Sequence, residues 1–278
     1  VGYGSLKRAD LSSAQTTITS KDMNKTINTT LEQAIQGRSS DVVVTQNSGQ
    51  PGGGISVNIR GVSSVNGTSE PLYVIDGVQI EGSAGGSYGL TSSTNPLAGL
   101  NPADIESMEI LKGPSATAIY GSRGTNGVVI ITTKRGKAVD PKITYDFLYT
   151  LQDLPTFLPT MKLRDYASFI TEYRSVLGME QTVPEWGDLS LLGDGTNWQK
   201  ELFRRAPLHK HQISMSGGND KTTYYMSGEY FSQEGVAVGS GFDRYSFRLN
   251  VDNQARKWLK ISTSLSINQT SDKVVLSN

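Results

Sequence analysis

From Pro141 onward the chain alternates apolar and polar residues with a period of two, and the first stretch has the length of a tilted transmembrane β-strand. Ile143, Tyr145, Phe147, Tyr149 and Leu151 share one face of the first stretch, with Thr144, Asp146 and Thr150 opposite and Leu148 as the exception. A period of two places successive side chains on opposite faces of a sheet, so the pattern predicts strands with one apolar face. Four more alternating segments follow, at about His209–Ser216, Thr222–Gln233, Arg244–Asp252 and Trp258–Asn268. In the second, Tyr224, Met226, Gly228 and Tyr230 oppose Thr223, Tyr225, Ser227, Glu229 and Phe231. In the third, Tyr245, Phe247, Leu249 and Val251 oppose Ser246, Arg248, Asn250 and Asp252.

Two architectures alternate in this way. One is a soluble β-sandwich, the other a membrane barrel. The nearly wholly polar faces and the Tyr- and Phe-rich apolar faces favour lipid. So do the connections, which are long, short, intermediate and short in turn, as in outer-membrane barrels with short turns at one rim. Five strands do not close a barrel, and an open lipid-facing sheet would leave an unpaired edge. The expectation is therefore a chain that begins a longer protein or is cut from one. No run reaches the roughly 18 apolar residues of a membrane helix, and no charged-then-apolar leader opens the sequence.

The first 140 residues differ. Only 4 of the 22 aromatics lie there, against 20 of the 30 glycines, so a compositional seam falls near Asp140-Pro141. Thr30-Leu31-Glu32-Gln33 reads as a capping box opening a helix that ends near Gln36. Asp41–Thr45 and Ile55–Ile59 read as strands, and Asp76-Gly77 between Leu72–Ile75 and Val78–Ile80 as a type I′ hairpin. Asn101-Pro102 reads as a helix start leading into strand Ser107–Leu111. Ser115 opens a short helix to Tyr120 stopped by Gly121, and Val128–Thr133 is a last strand. The front is a small α/β domain with long polar loops.

Composition narrows the chemistry. There are 26 basic and 26 acidic residues, and this neutral balance argues against nucleic acid as a partner. Without cysteine there is no thiol nucleophile, iron–sulfur cluster or disulfide. His209 and His211 share a strand face but lack a third ligand, so no metal is expected. The Gly52–Gly54 run lacks the Gly-Lys-Ser/Thr ending and flanking elements of a phosphate loop. Asp146 and Glu229 lie on polar strand faces with no sign of the paired geometry that glycan hydrolysis needs. The chain is expected to be neither an enzyme nor a cofactor protein. A soluble or surface glycan-binding β-domain is the rival reading.

The motifs IRGVSS (Ile59–Ser64), PLYVIDGV (Pro71–Val78), GLNPADIESMEILKGPSATAIYGSRGTNGVVIITTKRG (Gly99–Gly136) and the opening VGYG resemble the plug of SusC-like TonB-dependent transporters. NWQKELFRRAP (Asn197–Pro207) and ISMSGGNDKTTYYMSGEYFSQEGV (Ile213–Val236) resemble that family's first barrel strands. Lys112-Gly113-Pro114 is closer to the wider receptor superfamily, since SusC-like plugs often carry another pair there. The resemblance implies a plug at 1–140 and the N-terminal part of a transmembrane β-barrel at 141–278, with a first extracellular loop at 152–206. The barrel would have about 22 strands when complete.

The resemblance also implies a function. The family imports large solutes, mostly oligosaccharides, across the outer membrane of Bacteroidetes-like Gram-negative cells, as part of polysaccharide utilisation. TonB and its proton-driven motor supply the energy, and a SusD-like surface lipoprotein helps capture the ligand. The N-terminus would be periplasmic, with Val1, Gly2, Tyr3 and Gly4 next to the TonB-coupling segment. Asn66, Tyr88, Ser92 and Asn95 in the plug loops are candidate ligand contacts. Trp186 and Trp198 are candidate sugar platforms, with packing of the loop onto its helix as the alternative. Arg60 and Arg123 are expected to dock the plug onto carboxylates of the barrel. Import of peptides or another large solute by the same mechanism is the alternative.

Overall fold

In the computed structural model the described residues are 15–23, 29–46, 49–61, 69–80, 97–113, 117–179 and 184–274. The chain divides into two units. One comprises Val1–Thr150, Pro207–Gly235 and Gly239–Asn278, the other Leu151–Ala206 and Val236–Val238.

The first unit contains two five-stranded sheets. The front sheet is built from β1 (Gln15–Thr19), β4 (Leu72–Ile75), β5 (Val78–Ile80), β6 (Ile105–Leu111) and β7 (Val128–Thr133), in the order β1-β6-β7-β4-β5. β4 runs parallel to β7 and the other pairings are antiparallel. β2 (Val42–Gln46) and β3 (Ile55–Ile59) form a separate antiparallel pair. The core between them joins Leu31, Ile35, Val57, Ile59, Tyr73, Met108 and Ile131.

Local chemistry explains these elements. Thr30 caps the helix Leu31–Ile35 by accepting from the Gln33 backbone N–H. The Gln33 side chain reaches back to the backbone N–H of Thr29, 3.0 Å away, so the box closes one residue earlier than its pattern suggests. Asp76 (φ 48°) and Gly77 (φ 90°) have the two positive φ angles of the expected hairpin turn. Asn101 caps a short 3₁₀ turn at Pro102–Asp104. The expected stop falls at Gly121, whose φ of 62° and ψ of −150° are not helical; the turn before it is 3₁₀, and a second 3₁₀ turn follows.

The back sheet is an antiparallel meander of β8 (Lys142–Gln152), β9 (Ala206–Gly218), β10 (Thr222–Glu234), β11 (Gly241–Arg256) and β12 (Leu259–Lys273). Three of its strands run well past the alternating cores. β9 starts at Ala206, and β11 spans 16 residues with a register shift between Gln254 and Arg256. The added end of β11 is polar and stays paired with β12 as far as Arg256–Leu259, while the added start of β9, Ala206-Pro207-Leu208, is apolar and buries Ala206 and Leu208. The apolar residues Ile143, Tyr145, Phe147, Tyr149 and Leu151 are 57–67% exposed on the outward face. Leu148, the exception to the alternation, turns inward against a cluster of Ala98, Leu208, Phe231 and Phe242. This sheet is the wall, and its inward face meets the front domain.

The second unit carries the helix Leu163–Val176 and the short helix Trp198–Leu202. Its chain is tied by an ion pair of Lys162 with Asp194 at 2.9 Å and by the Arg164 guanidinium donating to the Leu192 carbonyl at 2.7 and 3.0 Å. Among the described residues no helix is long and apolar enough to cross a membrane.

Candidate functional site: the plug–wall contact

The inward face of the wall is polar because it meets polar groups of the front domain. Arg244 on β11 is buried, with its side chain 1% exposed. Its Nε and Nη2 donate to the two oxygens of Glu229 on β10, at 3.0 and 3.3 Å. Its Nη1 donates to the backbone carbonyls of Ala98 (3.0 Å) and Thr29 (3.4 Å) in the front domain. The guanidinium also lies 5.0 Å from the centre of the Phe231 ring. Ser246 donates to Glu229, and Lys210 stands 3.9 Å from it. Burying a charge is costly unless it is paired and hydrogen-bonded, and this pair is both.

A second cluster centres on two carboxylates of the front domain. Asp104, which is buried, accepts from the Tyr225 hydroxyl at 2.9 Å, with the Gln212 amide at 3.5 Å and Arg248 Nε at 3.8 Å. Arg248 also approaches Asp76 at 3.8 Å. Asp76 is the hairpin residue, and it further accepts from the Thr133 backbone N–H (3.0 Å) and hydroxyl (2.6 Å). Asn250 donates to the Thr133 hydroxyl and to the Lys134 carbonyl at 3.1 and 2.7 Å. Arg135 pairs with Asp252 at 3.0 Å. A cavity of about 360 Å³ lies beside these groups, with Thr29, Lys134, Asp146, Lys210, Glu229 and Arg244 on its walls. This constellation holds the front domain to the wall through charged and polar contacts.

Close backbone approach completes the contact. A Cβ on Gly136 would meet the Tyr224 backbone. A Cβ on Gly52, whose φ is +70°, would meet the Phe242 ring. Gly52 is thus a close approach of loop to wall, which is a reason for glycine there other than phosphate binding.

The expected site residues are distributed as follows. Arg60 is exposed, with φ 63° and its backbone N–H donating to the Asp41 carbonyl at 2.8 Å. It borders a cavity of about 450 Å³ together with Lys112, Thr117 and Asn126. Lys112 itself is nearly buried and pairs with Asp41 at 3.0 Å. Arg123 is exposed in the 3₁₀ segment. Trp186 meets Tyr166 of the long helix edge to face, with ring centres 6.0 Å apart, while Trp198 is 75% exposed. Asn66, Tyr88, Ser92, Asn95, Val1, Gly2, Tyr3 and Gly4 lie outside the described residues.

Sequence reasoning missed the docking role of Asp76, Asp104, Tyr225, Arg244, Arg248 and Asn250. A signal existed in part. Arg248 and Asn250 stand on the face opposite the lipid-compatible residues, and charge turned into a barrel requires a polar filling.

The front domain therefore packs against a wall of antiparallel strands through buried charged and polar contacts. Residues 7–128 match the family model described as TonB-dependent Receptor Plug Domain. TonB-dependent receptor P3 of Formosa agariphila is 34% identical over 95% of this chain and 24% of its own length. TonB-dependent receptor SusC of Bacteroides thetaiotaomicron is 36% identical over 90% of this chain and 24% of its own length. The RagAB peptide importer in its open-open state superposes with a TM-score of 0.82 at 32% identity, covering 98% of this chain and 32% of that one. Residues 7–128 are thus a TonB-dependent receptor plug domain, and nearly the whole chain is similar to SusC and other TonB-dependent receptors. It spans about a quarter of the length of the curated relatives it matches.

Proposed function

We propose that the protein is an outer-membrane transporter that imports oligosaccharides under TonB control, with residues 1–140 as the plug and 141–278 as the first part of the barrel wall. The observation that carries this reading is the plug–wall contact. Arg244 and Arg248 hold the plug through backbone carbonyls and carboxylates, beside a small apolar cluster of Ala98 with Leu208, Phe231 and Phe242. The polar part of this contact can exchange its partners for water when it opens. TonB would act from the periplasmic N-terminus near Val1–Gly4, and strand addition is a fitting mode of engagement. A SusD-like surface lipoprotein is the proposed partner at the outer face, and outer-membrane lipid surrounds the wall.

For ligand contacts we propose Asn66, Tyr88, Ser92 and Asn95 in the plug loops, with Trp198 as a sugar platform because its indole is exposed. Trp186 has the weaker case, since its ring packs on Tyr166. Arg60 and Arg123 are proposed to meet barrel carboxylates. The cavity shared by Arg60 and Lys112 gives a carboxylate room to enter.

A peptide cargo is the second reading, favoured by the similarity to the RagAB peptide importer. Isothermal titration of the purified full-length protein with oligosaccharide mixtures and with peptide mixtures separates the two. The first reading expects saccharide binding, lost in Trp198→Ala and unaffected by added peptide. Binding of peptides alone overturns the cargo class; hydrolysis of either ligand overturns the transporter reading.

A further inference from the structure

We propose a lipid-binding groove on the outward face of the wall, floored by Gly228, that holds one acyl chain of a phosphate-bearing membrane lipid. The inference rests on the wall lying in lipid. Strand register places the outward residues in rows. One row is Met215, Met226, Leu249 and Leu265. The next is Ile213, Gly228, Phe247 and Ile267. The third is His211, Tyr230, Tyr245 and Gln269.

The middle row has a large apolar side chain on every strand but one. Glycine at 228 opens a groove of about 460 Å³ between Ile213, Phe247 and Ile267, continuous with the exposed apolar face. One row further on, the surface changes character. Tyr230 stacks on Tyr245 with ring centres 4.9 Å apart, and the Tyr145 hydroxyl lies 2.8 Å from His211 Nδ1. With that hydroxyl donating, the imidazole proton sits on Nε2, which can donate to a phosphate oxygen. The Gln269 amide shares the row. Apolar groove and polar rim are thus one strand step apart, which matches an amphiphile whose head adjoins its tail. Aromatic girdles flank the apolar band of a barrel at its headgroup zones, and this row carries Tyr230 and Tyr245.

Glycine is not required here by the backbone. A Cβ at 228 would meet only Ile213 Cγ2, at 3.9 Å, so Gly228→Leu fills the groove and leaves the strand undisturbed. Native mass spectrometry of the full-length protein in detergent, titrated with phosphatidic acid, the matching diacylglycerol and inorganic phosphate, tests the site. The wild type is expected to bind phosphatidic acid about tenfold more tightly than diacylglycerol, and Gly228→Leu to weaken both by about tenfold. His211→Phe should narrow the preference for phosphatidic acid while keeping diacylglycerol binding. Equal lipid retention in Gly228→Leu, or binding of inorganic phosphate alone, overturns the proposal. Loss of a dimer in Gly228→Leu with lipid binding unchanged overturns it in favour of a second copy. Heat-modifiable gel mobility reads barrel formation separately; a protein that stays in solution without detergent overturns the wall reading along with the groove.

Discussion

The Tyr225 hydroxyl on β10 donates to the Asp104 carboxylate of the plug across 2.9 Å, and both side chains are buried. The two residues are 121 positions apart in the chain. The bond joins the 3₁₀ turn that starts β6 to the wall, next to the Arg248 guanidinium.

Tyr225→Phe should loosen this contact without unfolding the wall. A hydrogen bond to a charged group contributes about 1.5–3 kcal/mol, and Asp104 keeps Arg248 and Gln212 nearby. Hydrogen exchange of the full-length protein is expected to quicken at the amides of Asp104–Leu111 while those of β10 and β11 hold. Unchanged exchange in the plug would show that the bond does not secure it.

Arg244 and Glu229 should be far more sensitive one at a time than together. Removing one partner of a buried pair costs about 3–5 kcal/mol, because the other charge is left buried and unpaired. Arg244→Met and Glu229→Leu should each lower the thermal midpoint sharply, and the double variant should recover part of the loss. Additive losses in this double-mutant cycle would mean that the pair is not coupled.

Asp41 gives a pH signature. The hydrogen bond from Lys112, and then its charge, hold the Asp41 carboxyl below the ordinary aspartate value of 3.8. A carboxyl whose folded value is depressed stabilises the fold above its unfolded value, and that contribution is lost as pH falls through the folded one. Wild type and Lys112→Met are expected to differ in thermal midpoint at about pH 6, and the gap should close on acidification below the ordinary aspartate value. A gap constant down to about pH 2 would show that the ion pair is not its source.

Gly52→Ala should disturb the plug–wall contact through two effects acting together, the left-handed φ and the Phe242 ring. Combining it with Phe242→Ala removes the collision and leaves only the backbone strain. The double variant is therefore expected to retain the plug better in limited proteolysis than Gly52→Ala combined with a distant cavity. Equal susceptibility would place the whole effect in the backbone.

Much of the fold was readable from local pattern. The Asp76-Gly77 turn, the Thr30 cap and the five alternating strands follow from short-range sterics and period-two burial, and each lies where the pattern put it, give or take a few residues. The ends of β11 were not readable, because ladder hydrogen bonds extend it through residues whose side chains carry no signal. The second 3₁₀ turn past Gly121 was not readable either, although the stop at Gly121 was.

The candidate site divides along the same line. Sequence alone determined that each strand of the back sheet has one apolar and one polar face, and that two compositions meet near Pro141. It did so because alternation and composition are properties of neighbouring residues. Tertiary structure alone decided which charges meet: Arg244 with Glu229 and the carbonyls of Ala98 and Thr29, Arg248 with Asp76 and Asp104. Those partners are set by how a whole sheet registers against a whole domain. A Coulomb interaction depends on the distance between two groups in space, and no spacing along the chain encodes it.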